Sequence, residues 1–147
     1  MSVEGNKAIM RRFYEAVNGH DPSLIDDLVA QDYVDHPRRF TGLENYKQYL
    51  SAFFKTFPDS HETIEDIIAE GDKVCIRLKG SATYKGTYHG LVPTGNRITW
   101  EAVSIWRIVD GKIAEAWGFS DEINFFKQLG VIQFTEEGRK IFARETY

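Results

Sequence analysis

Apolar residues recur at helical spacing from Val3 to Asn18, with Ile9, Met10, Phe13, Ala16 and Val17 on one side and Lys7, Arg11, Arg12 and Glu15 between them. This pattern predicts an amphipathic helix that ends at Asn18-Gly19-His20. Asp21-Pro22 predicts a second helix, with Asp as N-cap, Pro at the first helical position, and Leu24, Ile25, Leu28 and Val29 as its stripe. Tyr33 to His36 reads as a short extended piece stopped by Pro37, because the residue before a proline is pushed away from helical geometry. Thr41 and Glu44 have the spacing of a capping box ahead of a third helix, which carries Leu43, Tyr46, Leu50, Phe53, Phe54 and Phe57 and stops at Pro58.

Beyond Pro58 the pattern becomes that of strands. Thr63 to Glu70 and Lys73 to about Tyr88 meet at Gly71-Asp72, a pair suited to a type II′ hairpin. Residues His89 to Asn96, with Gly90, Pro93 and Gly95, form a turning loop, and Arg97 to Val109 and Lys112 to Ser120 are joined by Asp110-Gly111, a strong hairpin signal. A short helix runs from Asp121 or Glu122 to Leu129 and ends at Gly130, and Thr135 is placed to cap a weak helix over Glu136 to Arg144. Helices followed by a meandering sheet make an α+β domain, expected as a strongly curved antiparallel sheet with the three N-terminal helices across its concave side and a cavity between.

Composition fits this picture. The 147 residues are enough for one domain, read as a core over 1–130 with 131–147 as a peripheral tail. A formal charge of -4 without a basic block argues against a nucleic-acid partner. The lone Cys75 and the lack of an apolar leader give a cytoplasmic expectation with no membrane association. Aromatic residues are in excess at 14%, and the three Trp lie between Trp100 and Trp117, so they can fill a core or line a pocket for a hydrophobic small molecule.

If the Asp110-Gly111 turn holds without a bulge, Trp106 faces Glu115, Ser104 faces Trp117, Ala102 faces Phe119 and Trp100 faces Asp121, all on one side of the sheet. That side reads as a pocket wall, with Trp100, Ser104, Trp106, Trp117 and Phe119 as ligand-binding candidates. The opposite side, with Val103, Ile105, Ala114 and Ala116, is smooth enough for a homodimer interface. Glu115 and Asp121 are six residues apart on one strand, roughly 20 Å, too far to work as a pair. Two roles compete for Asp121: capping the helix that follows, or moving a proton from within an apolar pocket.

The run Tyr84 to Arg97, the segment Trp106-Arg-Ile-Val-Asp-Gly-Lys-Ile-Ala-Glu-Ala-Trp117, then Asp121 and Lys127-Gln-Leu-Gly130, together with Asp35-His36-Pro37, resembles the SnoaL-like polyketide cyclases, or ester cyclase family. The resemblance implies a nuclear transport factor 2-like cone, usually dimeric. It also implies an Asp at the position of Asp121 that serves as general acid and base for an intramolecular aldol closure without metal or cofactor. Tyr84 stands where the family commonly has His, and Ala116 stands where it commonly has another, so Tyr84 or His89 would have to replace the first. His36 is a further candidate for polarising a carbonyl. The expected function is a cofactor-free cyclase or isomerase using Asp121, with a non-catalytic small-molecule-binding or scaffold protein as the alternative. No His-x-His or Glu-x-x-His spacing points to a metal.

Overall fold

The first apolar stripe folds as helix α1 (Val3–Asn18) in the computed structural model of the chain, which describes residues 2–142. Ser2 caps α1 by accepting the Gly5 N–H at 3.0 Å, and Ile9, Met10, Phe13, Tyr14 and Val17 form its buried face. The second expected helix does not form. Asp21 caps only a single 3-10 turn, Pro22–Ile25, and the chain enters strand β1 (Val29–Asp35) instead. The stripe Leu24 to Val29 suits either geometry, and long-range pairing decides: Val29 lies beside Ile113, whose N–H donates to the Leu28 carbonyl at 2.8 Å.

The expected capping box is absent as well, because Thr41 is used in strand β2 (Phe40–Thr41), paired with Val34. Gly42 is the N-cap of α2 (Leu43–Thr56) and gives no side-chain bond; its φ of 91° is a backbone position that glycine accepts freely. The three expected N-terminal helices are therefore two helices and one 3-10 turn.

The strands are β3 (His61–Glu70), β4 (Lys73–Thr83), β5 (Arg97–Val109) and β6 (Lys112–Ser120), in the curved sheet order β2-β1-β6-β5-β4-β3. β1 runs parallel to β6 and the other neighbours are antiparallel, so the sheet is mixed. Helices α1 and α2 cover its concave face over a core that includes Met10, Phe13, Tyr33, Leu43, Ile76 and Ile113. A second cluster of Phe57, Ala82, Tyr84, Ile98 and Leu129 closes the far end, where α3 (Glu122–Gln128) packs. Thr135 caps α4 (Glu136–Phe142) through the Gly138 N–H at 3.1 Å; the expected continuation to Arg144 lies outside the described residues. Among the described residues no helix is long and apolar enough to cross a membrane.

Both hairpins contain a register shift, and the one between β5 and β6 overturns the unbulged pairing expected from the Asp110-Gly111 turn. In the β5–β6 hairpin Ile108 pairs with Ile113 but Arg107 pairs with Glu115, leaving Ala114 as an extra residue. Trp106 then faces Ala116, Ser104 faces Gly118 and Ala102 faces Ser120, while Ile105 faces Trp117 and Val103 faces Phe119. The reason is the cost of burying a charge. Unbulged pairing would drive Glu115 into the core opposite Trp106, whereas the bulge puts Ala116 there, 3% exposed, and frees Glu115 to meet Arg107 on the outside. The β3–β4 hairpin does the same at Glu65: Ile67 faces Ile76 and Ile64 faces Leu78, with Glu65 left over between them.

Candidate functional site

Between the concave face and the helices lies a cavity of about 320 Å³, bordered by Phe13, Tyr14, Tyr46, Tyr49, Phe53 and Leu50 from the helices and by Leu78, Trp100, Ser104 and Trp106 from the sheet. Such a volume suits a drug-sized ligand, and the aromatic walls suit an apolar ring. Phe125 and Phe126 of α3 and Tyr88 of the 84–96 loop border its other end. That loop is tied down by the Tyr84 N–H to the Asn96 carbonyl at 3.0 Å and by the Tyr84 hydroxyl, which donates to the Leu91 carbonyl at 3.2 Å.

Two charged groups enter this aromatic space. The first is Glu62 of β3, half-buried, whose Oε1 accepts the Trp100 indole N–H at 3.1 Å. Glu62, Gly80 and Trp100 stand in one row across β3, β4 and β5. Gly80 makes the contact possible: a Cβ there would lie 1.9 Å from Trp100 Cε2, so the indole lies flat on bare backbone and reaches the third strand. Burial pushes the Glu62 carboxyl above its ordinary range, while the Trp100 bond and the Arg38 and His61 charges pull the other way.

The second is Arg38, just after β1. Its guanidinium lies 4.4 Å from the centre of the Tyr49 ring, and Nη1 donates to Asp35 Oδ2 at 3.0 Å. Asp35 is 1% exposed and also accepts from the Tyr33 hydroxyl at 3.0 Å and the Arg38 N–H at 2.9 Å, so the Arg38 side chain is held from behind. Burial raises the Tyr14 phenol well above its usual range, with Glu62 acting in the same direction, and burial likewise raises Tyr46. These hydroxyls are neutral donors at any physiological pH.

The sequence candidates divide. Trp100, Ser104 and Trp106 border the cavity, and the Trp106 indole N–H donates to Ser104 Oγ at 2.7 Å. Trp117 and Phe119 do not turn their side chains inward: the run Ala116 to Ser120 edges the cavity, but the pairing directs Ala116, Gly118 and Ser120 in, and Phe119 is 88% exposed on the outer face. His36 is also outside, stacked on Trp117 at 5.0 Å with Nε2 2.7 Å from Glu115 Oε1. This pair and Arg107 hold the Glu115 carboxylate below its usual range, the His36 bond contributing most. Tyr84 is fully buried in the second core cluster and serves the loop, while His89 is exposed at φ 48° against the Tyr88 ring. Asp121 is exposed and caps α3, its Oδ1 accepting the Asn124 N–H at 3.1 Å; its neighbours Ser120 and Glu122 border the cavity. Sequence reasoning missed Glu62, Arg38 and Tyr14. The signal for Glu62 was the three-residue step from Ile64 to Ile67, a break in strand alternation that marks the bulge and reverses the face of Glu62.

Comparison with known proteins matches residues 8–129 to a family described as SnoaL-like polyketide cyclase. Aklanonic acid methyl ester cyclase DauD of Streptomyces sp. (strain C5) is 26% identical over 137 residues, covering 88% of this chain and 84% of that protein. TsrD from Streptomyces laurentii superposes with a TM-score of 0.82 at 26% identity, over 90% of this chain and 99% of that one. AclR from Streptomyces galilaeus, described as a candidate hydroxylase, gives 0.82 at 28% identity over 97% and 92%. These neighbours share the fold, and a shared fold does not by itself set the reaction.

Proposed function

Because the chain belongs to the SnoaL-like polyketide cyclase family, we propose that it is a cofactor-independent cyclase or isomerase acting on a hydrophobic, carbonyl-bearing, ring-containing small molecule. The observation that carries this reading is the aromatic cavity of about 320 Å³ bordered by a carboxyl, a guanidinium and neutral phenols. An acid–base isomerisation needs a group to take a proton from carbon, donors to stabilise the enolate oxygen, and walls that exclude water. Glu62, Tyr14 and Arg38 supply group types suited to those tasks, and Phe53, Trp100 and Trp106 supply the walls.

Asp121 enters as acid and base through the family resemblance. For that role its carboxylate would have to leave the Asn124 N–H and turn towards the space bordered by Ser120 and Glu122. Asn caps a helix nearly as well as Asp, so Asp121→Asn separates chemistry from capping.

The first substrate to assay is aklanonic acid methyl ester, the compound in the name of the DauD relative. The expected result is conversion to a cyclised product of unchanged mass, without added metal or cofactor. Tight binding without conversion would favour the small-molecule-binding alternative, and neither binding nor conversion of this or related aromatic ketones would sink the reading.

A further inference from the structure

The cavity is bordered by two carboxylates among the described residues, Glu62 and Glu122, and they differ in placement. Glu122 is exposed in the first turn of α3, whereas Glu62 is half-buried on β3 and its side chain is held by a single indole bond. We propose that Glu62, positioned by Trp100 across Gly80, is the group that carries protons inside this cavity, taking the α-proton of an aromatic ketone and later returning it. This rests on the reading above that the cavity is a reaction chamber.

Three features argue for it. Burying a carboxyl beside an aromatic core costs stability, and among the described residues no salt bridge to Glu62 offsets that cost: Arg38 is bonded to Asp35 instead. Trp100 donates to one oxygen, Oε1, so Oε2 has no protein partner among the hydrogen bonds of the described residues. Finally, the cavity that Glu62 borders also presents donors suited to an enolate, Tyr14 from α1 and Arg38 from the β1 side, while the Trp100 indole from β5 holds the carboxyl itself and His61 is adjacent in the chain. The same burial that raises the carboxyl makes it a stronger base towards carbon than an exposed glutamate.

The step balances within the substrate. The Glu62 carboxylate takes the α-hydrogen as a proton, the C–H pair becomes the enolate C=C, and the carbonyl π pair moves to oxygen, where Tyr14 or Arg38 can donate. In a ring closure the enolate carbon attacks a second carbonyl carbon of the same molecule. The new C–C bond takes the enolate pair, and the resulting alkoxide recovers the proton from Glu62. No oxidant, reductant or co-reactant is needed.

The test uses 2-tetralone, an aromatic ketone with an exchangeable α-proton, in heavy water, with exchange followed by NMR and binding of the planar enol analogue 2-naphthol followed by tryptophan fluorescence. The wild type should accelerate exchange above buffer, and Glu62→Gln should lower the rate by about 10²–10⁴-fold while still binding 2-naphthol. Glu62→Asp should recover part of the rate. Trp100→Phe should move the acidic limb of the exchange profile to higher pH, because the lost indole bond had favoured the carboxylate; a merely structural role for Trp100 would leave that limb in place. Exchange unchanged in Glu62→Gln, or lost in Asp121→Asn while Glu62→Gln retains it, overturns the assignment and leaves the cavity reading intact. Wild-type protein that binds 2-naphthol but exchanges nothing also overturns it. Protein that neither binds nor exchanges overturns both.

Discussion

At the scale of single residues, two carboxylates make opposite predictions about stability. Glu62 has a folded-state pKa raised by burial, so between its unfolded and folded pKa values the unfolded chain has already released the proton that the native state still holds. Stability therefore falls as pH rises through that window, the reverse of an ordinary paired carboxylate. Glu62→Gln keeps an oxygen for the Trp100 N–H and removes the buried charge, so thermal melts at pH 7 should show a higher Tm, by about 2–4 °C for each 1 kcal/mol recovered. The difference should vanish in melts at pH 4. A lower Tm at pH 7 would mean that Glu62 is held by a compensating partner. Asp121 behaves conversely: as an exposed cap its replacement by Ala should cost about 0.5–2 kcal/mol in urea unfolding, and by Asn much less. Equal loss in both variants would show that its charge, not its cap bond, holds α3.

Elements explain why the hairpin turns were legible in the sequence and half of the site was not. Gly71-Asp72 and Asp110-Gly111 sit where expected, with positive φ at Gly71 alone in the first turn and at both Asp110 and Gly111 in the second, because two-residue turns are specified by local backbone chemistry. Register is not local. One extra residue in each hairpin expels a glutamate, Glu65 or Glu115, from the core and exchanges the faces of everything beyond it. The Trp117 and Phe119 side chains turn to the outer face, although both residues still edge the cavity, and Glu62 joins the wall; Trp100, Ser104 and Trp106 keep their places because they lie on the unbulged strand. The cost of burying Glu115 beside Trp106 could have been read from the sequence; the parallel docking of β1 on β6, which also cancels the second helix, could not, since it depends on contacts 80 or so residues apart. The row Glu62–Gly80–Trp100 yields a prediction at this scale. Gly80→Ala places a methyl group against the indole and should cost about 1–3 kcal/mol while displacing Trp100 from Glu62. Denaturation and the fluorescence maximum of the tryptophans measure the two effects, and a variant with native stability and spectrum would refute the close approach.

For the whole molecule, the same bulge that reshapes the cavity writes the outer face. The smooth dimer surface read from the sequence included Ala116, which is instead core, while Ala114 is the bulge residue. In their place the outer face carries the rows Ile68–Cys75–Ile105–Trp117 and Asp66–Arg77–Val103–Phe119. Ile68 is 67% exposed, Val103 46%, Ile105 40% and Phe119 88%, an apolar strip of a kind that soluble monomers seldom leave open. We propose that a second copy of the chain covers it. A two-fold interface sets the same patch against itself and so must not carry one sign of charge. This strip meets that condition, flanked by the Arg77–Asp66 pair at 2.6 Å and the Arg107–Glu115 pair at 2.7 Å. Sedimentation velocity at micromolar concentration should therefore give a dimer, and Phe119→Asp or Ile105→Asp, which places two like charges across the symmetry axis region, should give a folded monomer. A wild-type monomer, or a dimer indifferent to both substitutions, would remove the sheet face from the assembly. Because Ile105 is not among the residues that border the cavity, 2-naphthol binding by the monomeric Ile105→Asp variant then tells whether the site is complete within one chain: retained affinity means that it is, and lost affinity with an unchanged fold means that pairing holds the curved sheet, and with it the row Glu62–Gly80–Trp100, in its working shape.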